Sequence, residues 1–344
     1  MPNDLLTSAI DKVASREDLS SNEAAAVLRE IMEGRVSEAQ SAGFLIALRT
    51  KGETVEEVAG LAETMRELAT RVEVDRTDLV DTAGTGGGSP SFNVSTTAAL
   101  LAAAAGATVA KHGNRSATGR CGSADVLEAL GARIDLEPAA IAECIADVGF
   151  GFMFAPLHHQ ATRHIIPVRR ELAVRTIFNL LGPLTNPAGA TRQVIGVSDP
   201  AYLETMAGAL ERLGSESALI VSAEDGLDEL SVSAPTRVVE LKAGRIDSFT
   251  LTPEEAGLER ASGAGLAQGG PEQNADVTRA VLSGSSNGVE RSLVLLNAGA
   301  ALYVSGVSPS IKDGVQAAGD AIASGASAEL LDRYVQRTKE LAPA

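Results

Sequence analysis

The sequence predicts an α/β protein, with a small all-helical N-terminal domain and a larger α/β domain built on a mostly parallel central sheet. Three observations carry that prediction. Up to about residue 70 the chain shows helical periodicity and no strand-like alternation. From Asp78 onward, short aliphatic runs alternate with helical segments, the pattern of strands joined by crossover helices. Of the 344 residues, 44% are hydrophobic but only 3% are aromatic and none is Trp, so an ample core must be made from Ala, Val, Leu and Ile.

Taken in order, Ser20 and Glu23 form a capping-box pattern ahead of Ala24, Val27, Leu28 and Ile31, with Gly34 closing the run. Thr54 and Glu57 repeat it ahead of Val58, Leu61, Met65 and Leu68. Leu79-Val80-Asp81 reads as a short strand, followed by a glycine run and an Ala-rich helix from about Ser95. Thr108-Val109-Ala110 is the next strand, and Ala124 to Leu130 a helix closed by Gly131. Val194 to Val197 and Ala218 to Val221 read as strands separated by a helix from Tyr202 to Leu213. Val238 to Leu241 and Ile246 to Leu251, split by Ala243-Gly244, look like an added antiparallel hairpin. Gly263 to Gly270 reads as a surface loop, and helices return from Asn274.

The formal net charge of −16 disfavours nucleic acid and anionic membranes, because both are bound through surplus Lys and Arg. An anionic ligand would need local cationic devices to overcome that field. Cys121 and Cys144 suggest neither a disulfide framework nor a metal cluster, only small residues in a reducing compartment. Met1 to Ala14 lacks the basic start and apolar core of a signal peptide. The apolar run Ala98 to Ala110 is broken by Gly106 and too short to span a membrane. A cytoplasmic location is the expectation.

Two segments look chemical. Asp81 to Ser89, with glycines at 84, 86, 87 and 88, lies between a strand and a helix, where backbone N–H groups and a helix N-terminus can receive an anion. It lacks the Lys-Ser/Thr of a P-loop and the third small residue of a dinucleotide fingerprint, so a plain tight turn stays open. Lys111 to Thr118 follows the next strand and offers a point charge at Lys111 and a planar fork at Arg115, or else a solvated loop whose cations pair with nearby acids. His158, His159 and His164 do not have the spacing of a helical two-histidine zinc site and read as structural.

At these residues the chain resembles the anthranilate phosphoribosyltransferases. Lys111-His112-Gly113-Asn114-Arg115-Ser116 matches that family's signature, and the glycine loop with Phe92 to Thr96 resembles its phosphate segment. Gly122 to Gly131, Pro167 to Pro187, Asp225 to Leu230 and Leu295 to Ala298 extend the likeness over nearly the whole chain. The resemblance implies a helical domain of residues 1–75 joined by part of about 165–190, an α/β domain of 76–344, and a homodimer formed through the helical domains. It implies that Gly84, Gly87, Ser91, Asn93, Ser95, Thr96, Lys111 and Ser123 contact phosphoribosyl pyrophosphate. Anthranilate would meet Gly84, His112, Asn114, Arg169 and Pro183, while Ser95, Asp228 and Glu229 would hold magnesium, as two ions. Lys111 and Arg169 are the expected catalytic residues, without a strong general base. Two departures stand out: Gly88 occupies the place of the family's aspartate in a shorter loop, and Gly119-Arg120-Cys121 replaces serine, lysine and serine. Alternatives from the same scaffold are a pyrimidine nucleoside phosphorylase and a non-catalytic nucleic-acid-binding relative, the latter opposed by the charge.

Overall fold

The structure, a computed structural model, describes residues 2–116, 119–262 and 269–342; most of the expected loop at 263–270, and Ala117-Thr118 of the basic segment, lie outside the described residues. The chain opens with α1 (Asp4–Ala14), α2 (Ser21–Met32), α3 (Glu38–Lys51) and α4 (Val55–Glu67). Both predicted capping boxes form: Ser20 caps α2 with Glu23, and Thr54 caps α4 with Glu57. Each satisfies amides that a helix start otherwise leaves open.

The α/β part follows as β1 (Leu79–Gly84), α5 (Val94–Ala104), β2 (Thr108–Gly113), α6 (Ser123–Ala129), α7 (Pro138–Val148) and β3 (Phe150–Phe154). Short helices α8 (Ala155–His158), α9 (Ile166–Leu172) and α10 (Phe178–Leu181) lead to β4 (Arg192–Gly196), α11 (Leu203–Arg212) and β5 (Ser217–Ala223). The hairpin β6 (Thr236–Lys242) and β7 (Arg245–Leu251) precedes α12 (Pro271–Leu282), α13 (Val289–Ser305), α14 (Ile311–Ala323) and α15 (Ala326–Leu341).

The seven strands lie in one sheet, ordered β3-β2-β1-β4-β5-β6-β7. The run from β3 to β5 is parallel, and β6 and β7 add the antiparallel edge that the sequence predicted. The unit α7–β3 was not anticipated. Phe150-Gly151-Phe152-Met153-Phe154 is buried along most of its length, so it carries no alternation to betray a strand.

The sheet separates two cores. Val194, Leu219 and Val221 face α5 and α13, whereas Ile195, Ala218 and Ile220 face α11 and the N-terminal helices, a period-two partition. The second core also takes in Ile165, Val168, Ile177, Phe178, Leu181 and Leu184, so the segment around α9 and α10 packs with α1 to α4. From β1 the chain runs outward to β2 and β3, then returns to β4 on the other side of β1. The order reverses between β1 and β4, so their carboxyl ends, where Gly84 pairs with Gly196, form the switch point at which open α/β sheets take their ligands.

Candidate active site at the strand-order reversal

The glycine loop leaves β1 at this switch point. Thr85 N–H donates to the Gly196 carbonyl at 2.8 Å, and Ser89 N–H donates to the Gly226 carbonyl at 2.7 Å. The Ser89 hydroxyl reaches the Asp225 carbonyl at 2.9 Å, so the glycine loop is tied to the turn that carries Asp228 and Glu229. The fit leaves no room for side chains at Gly88 and Gly196. A Cβ on Gly196 would stand 1.7 Å from the Asp228 carbonyl oxygen, and one on Gly88 would stand 2.5 Å from Asp228 Oδ1. The missing aspartate therefore has a local reason: at Gly88 the loop backbone lies directly against the acidic turn.

Behind the loop lies a buried polar network. The Asp81 carboxylate, fully buried, accepts from His112 N–H at 3.1 Å and from Asn186 Nδ2 at 2.8 Å. Asn186 Nδ2 also donates to the Ala110 carbonyl at 2.8 Å, stitching β1 to β2. Lys111, 2% exposed, donates to the Thr82 carbonyl at 2.5 Å, and the Thr82 hydroxyl donates to the Ser95 carbonyl at 2.9 Å. Burial pushes the Lys111 ammonium's pKa down, while the charges of Asp81 and Glu229 push it back up. Lys111 thus joins the loop's foundations and brings a positive charge beneath them.

Asp228 and Glu229 are the charges left over. Burial, with the Asp228 charge beside it, pushes Glu229 up to about 8; Lys111 and the Ser95 backbone N–H draw it back. Burial likewise raises Asp228, opposed by hydrogen bonds and by the Arg175 charge. Two adjacent half-buried carboxylates that resist ionising are short of positive charge. A hard divalent cation held by carboxylates and substrate oxygens, as magnesium is, fits this donor set, with Ser95 at the start of α5 adding a hydroxyl oxygen.

The other expected residues divide. Gly84 ends β1 with its Cα face toward Asp228 Oδ2, and Gly87 takes a φ of +86°. Asn93 is occupied: its Nδ2 donates to the Cys121 carbonyl at 3.2 Å and its Oδ1 accepts from Asn274 Nδ2 at 2.8 Å. Thr96 Oγ1 is buried without a partner among the described residues. Ser91 donates to the Phe92 carbonyl, and Ser123 donates to the Asn114 carbonyl at 3.2 Å, holding that loop. Arg115 follows the second of the two readings open for it: its Nη1 donates to Asp125 and Glu128 of α6, and the guanidinium lies over Phe154, 5.5 Å from the ring centre.

On the acceptor side, His112 Nδ1 lies 3.2 Å from the Gly182 carbonyl, beside Pro183, whose own carbonyl accepts from Gln193 Nε2 at 2.7 Å. The His112 and His159 rings stand 5.0 Å apart, and the Nε2 atoms of His112, His158 and His159 are buried without partners among the described residues. Burial pushes all three imidazoles down, His159 to about 4, so they are neutral near pH 7. Among the described residues they form no group of three metal-ligating side chains. Arg169, on α9, lies over the Phe178 ring at 5.2 Å and pairs with no carboxylate among the described residues. A half-buried guanidinium without an anion, in an acid-rich chain, offers a bidentate seat for a carboxylate.

Sequence reasoning missed Asp81, Asn186, Asn274 and Arg175 as site builders. Asp81 had a signal, a charge inside an aliphatic strand; the other three are far from the loops in sequence and reach them only through the fold.

Comparison with known proteins agrees with this fold. Residues 7–69 match the glycosyl transferase family helical bundle domain, and residues 76–328 match that family's a/b domain. The anthranilate phosphoribosyltransferase of Rubrobacter xylanophilus is 50% identical over 98% of this chain and 99% of its own. That of Halorhodospira halophila is 51% identical over 98% and 99%. Among solved structures, the Thermus thermophilus enzyme superposes with a TM-score of 0.90 at 49% identity, over 96% of this chain and 99% of its own. The Saccharomyces cerevisiae enzyme in complex with PRPP and Mg gives 0.89 at 28% identity, over 98% of each chain. This chain belongs to the anthranilate phosphoribosyltransferases, within the glycosyl transferase family.

Proposed function

We infer that the chain transfers the phosphoribosyl group of phosphoribosyl pyrophosphate to the amino group of anthranilate, giving N-(5-phosphoribosyl)anthranilate and pyrophosphate in tryptophan biosynthesis. The observation that carries this is the half-buried Asp228–Glu229 pair, short of positive charge, set against the glycine loop at the strand-order reversal. The solved yeast relatives support it, one in complex with PRPP and Mg and another with 4-fluoroanthranilate.

The amine lone pair attacks the anomeric carbon, a C–N bond forms, the C–O bond to pyrophosphate breaks, and the electron pair leaves with pyrophosphate. The amine's surplus proton passes to solvent, since an aromatic amine is nucleophilic when neutral and needs no strong base. Ser95, Asp228 and Glu229 would hold magnesium, as two ions, and the metal would supply positive charge to the leaving pyrophosphate. Gly84, Gly87, Ser91, Asn93, Ser95, Thr96 and Ser123 surround the pyrophosphate and ribose. Lys111 contributes from beneath, as a buried positive charge that stabilises negative charge as it develops. Arg169 grips the anthranilate carboxylate, with Asn114, His112, Pro183 and Gly84 around the ring, so alignment supplies much of the rate. Residues 1–75 with part of 165–190 form the helical unit, through which two copies pair in the cytoplasm.

The test follows anthranilate fluorescence with purified protein, phosphoribosyl pyrophosphate and magnesium, omitting each in turn. Consumption should require all components and slow in Arg169→Ala; no consumption under any condition would refute the reading.

A further inference from the structure

The segment that carries Arg169 makes a second contact, and it crosses to the glycine loop. Helix α9 ends at Ala173, whose φ of 51° is left-handed, an uncommon state for a residue with a Cβ. The Thr176 N–H donates to Asn179 Oδ1 at 3.1 Å and fixes the turn that follows. From this turn Arg175 reaches the loop, Nη1 donating to the Gly86 carbonyl and Nη2 to the Thr85 carbonyl, the latter at 3.4 Å. Gly87 makes the approach possible, because a Cβ there would stand 2.0 Å from Arg175 Nη1. In a chain with 45 acidic and 29 basic residues, this arginine pairs with no carboxylate among the described residues. Two carbonyls of the glycine loop take its charge instead.

We infer that Arg175 is a positioning residue that links the acceptor-binding segment to the glycine loop, so that occupancy of either substrate site raises affinity at the other. The inference rests on the assignment of the glycine loop to pyrophosphate and of Arg169 to anthranilate. Arg169 and Arg175 stand six positions apart on one short stretch, each on a different ligand's side. When loop N–H groups close on an anion, the carbonyls that Arg175 holds must turn with them. That movement shifts the segment bearing Arg169, and linkage makes the effect reciprocal.

The experiment separates this from the reaction itself. Anthranilate binding is titrated calorimetrically with and without saturating magnesium pyrophosphate, a pair that lacks ribose and cannot react, for the wild type, Arg175→Ala and Arg175→Lys. Wild type should bind anthranilate about five- to tenfold more tightly with pyrophosphate present. Arg175→Ala should bring that ratio close to one, and Arg175→Lys, keeping a charge but losing the fork, should fall between. A purely structural role would weaken both ligands and leave the ratio intact. An unchanged ratio in Arg175→Ala, or no coupling in the wild type, would overturn the inference. Failure of the underlying reading would show separately, as absence of anthranilate consumption by the wild type.

Discussion

The ends of the site proposed for pyrophosphate and for anthranilate are built on opposite plans. At the pyrophosphate end, Asp81, Lys111, Asn186, Thr82 and Ser89 each have hydrogen-bond partners, and glycines let backbone pack on backbone. What it leaves open among the described residues is the acidic pair Asp228 and Glu229 and the unpartnered Thr96 hydroxyl. At the anthranilate end, Arg169 lacks an anion and three imidazole nitrogens lack partners among the described residues. A flexible, highly charged ligand calls for a cradle on well-bonded foundations with a place for a cation. A small flat ligand that brings its own carboxylate is met by capacity left open, which costs stability in the empty protein.

The contrast can be broken by experiment, the largest effect first. Asp228→Asn should lower kcat/KM about a thousandfold by removing half of the acidic pair, while its melting temperature holds or rises as a partly desolvated carboxylate disappears. Calorimetric magnesium titration in the presence of pyrophosphate would report the lost metal affinity; unchanged affinity would mean the metal is held elsewhere.

Acid should strike the anthranilate end. A buried His159 with its pKa held at about 4, against 6.5 for a free imidazole, resists protonation in the folded state. The stability that this contributes is full above pH 6.5 and disappears as pH falls towards 4, roughly 3 kcal/mol for this residue. His112 and His158 shift in the same direction. Melting curves from pH 7 to pH 4 should show the fall, and His159→Gln should flatten it; an equal slope in the variant would remove His159 as the cause.

Arg169→Ala should reduce kcat/KM for anthranilate about a hundredfold while leaving magnesium pyrophosphate affinity near wild type, which would confine the guanidinium to the acceptor. If pyrophosphate affinity fell equally, the two ends would not be separable as drawn. Asn186→Ala strips the buried Asp81 carboxylate and the Ala110 carbonyl of a donor and should cost about 2 kcal/mol in urea unfolding. Its effect on activity should follow stability and not substrate choice.

Much of this was legible before folding. Capping boxes at Ser20 and Thr54, the strands of β1, β2, β4 and β5 and the final hairpin rest on local periodicity and local chemistry, and the structure places them there. The strand β3 was not legible, because burial on both faces erases alternation. Arg115 stayed undecided because a basic residue in a donor-rich loop looks the same in sequence whether it faces phosphate or the carboxylates of α6. Gly88 looked like a loss, and only its distance to the Asp228 turn shows that a side chain would collide.

The sequence by itself determined the fold class, the glycine and lysine segments and the acidic pair, because helix caps, strand runs and short motifs act within a few residues of one another. The tertiary structure alone decided which charges are spent and which are free. Asp125 and Glu128 neutralise Arg115, Asp81 stands near Lys111, and Arg169 is left unpaired among the described residues. Those partnerships span the chain, and an electrostatic interaction depends on separation and burial in space, which no local pattern encodes.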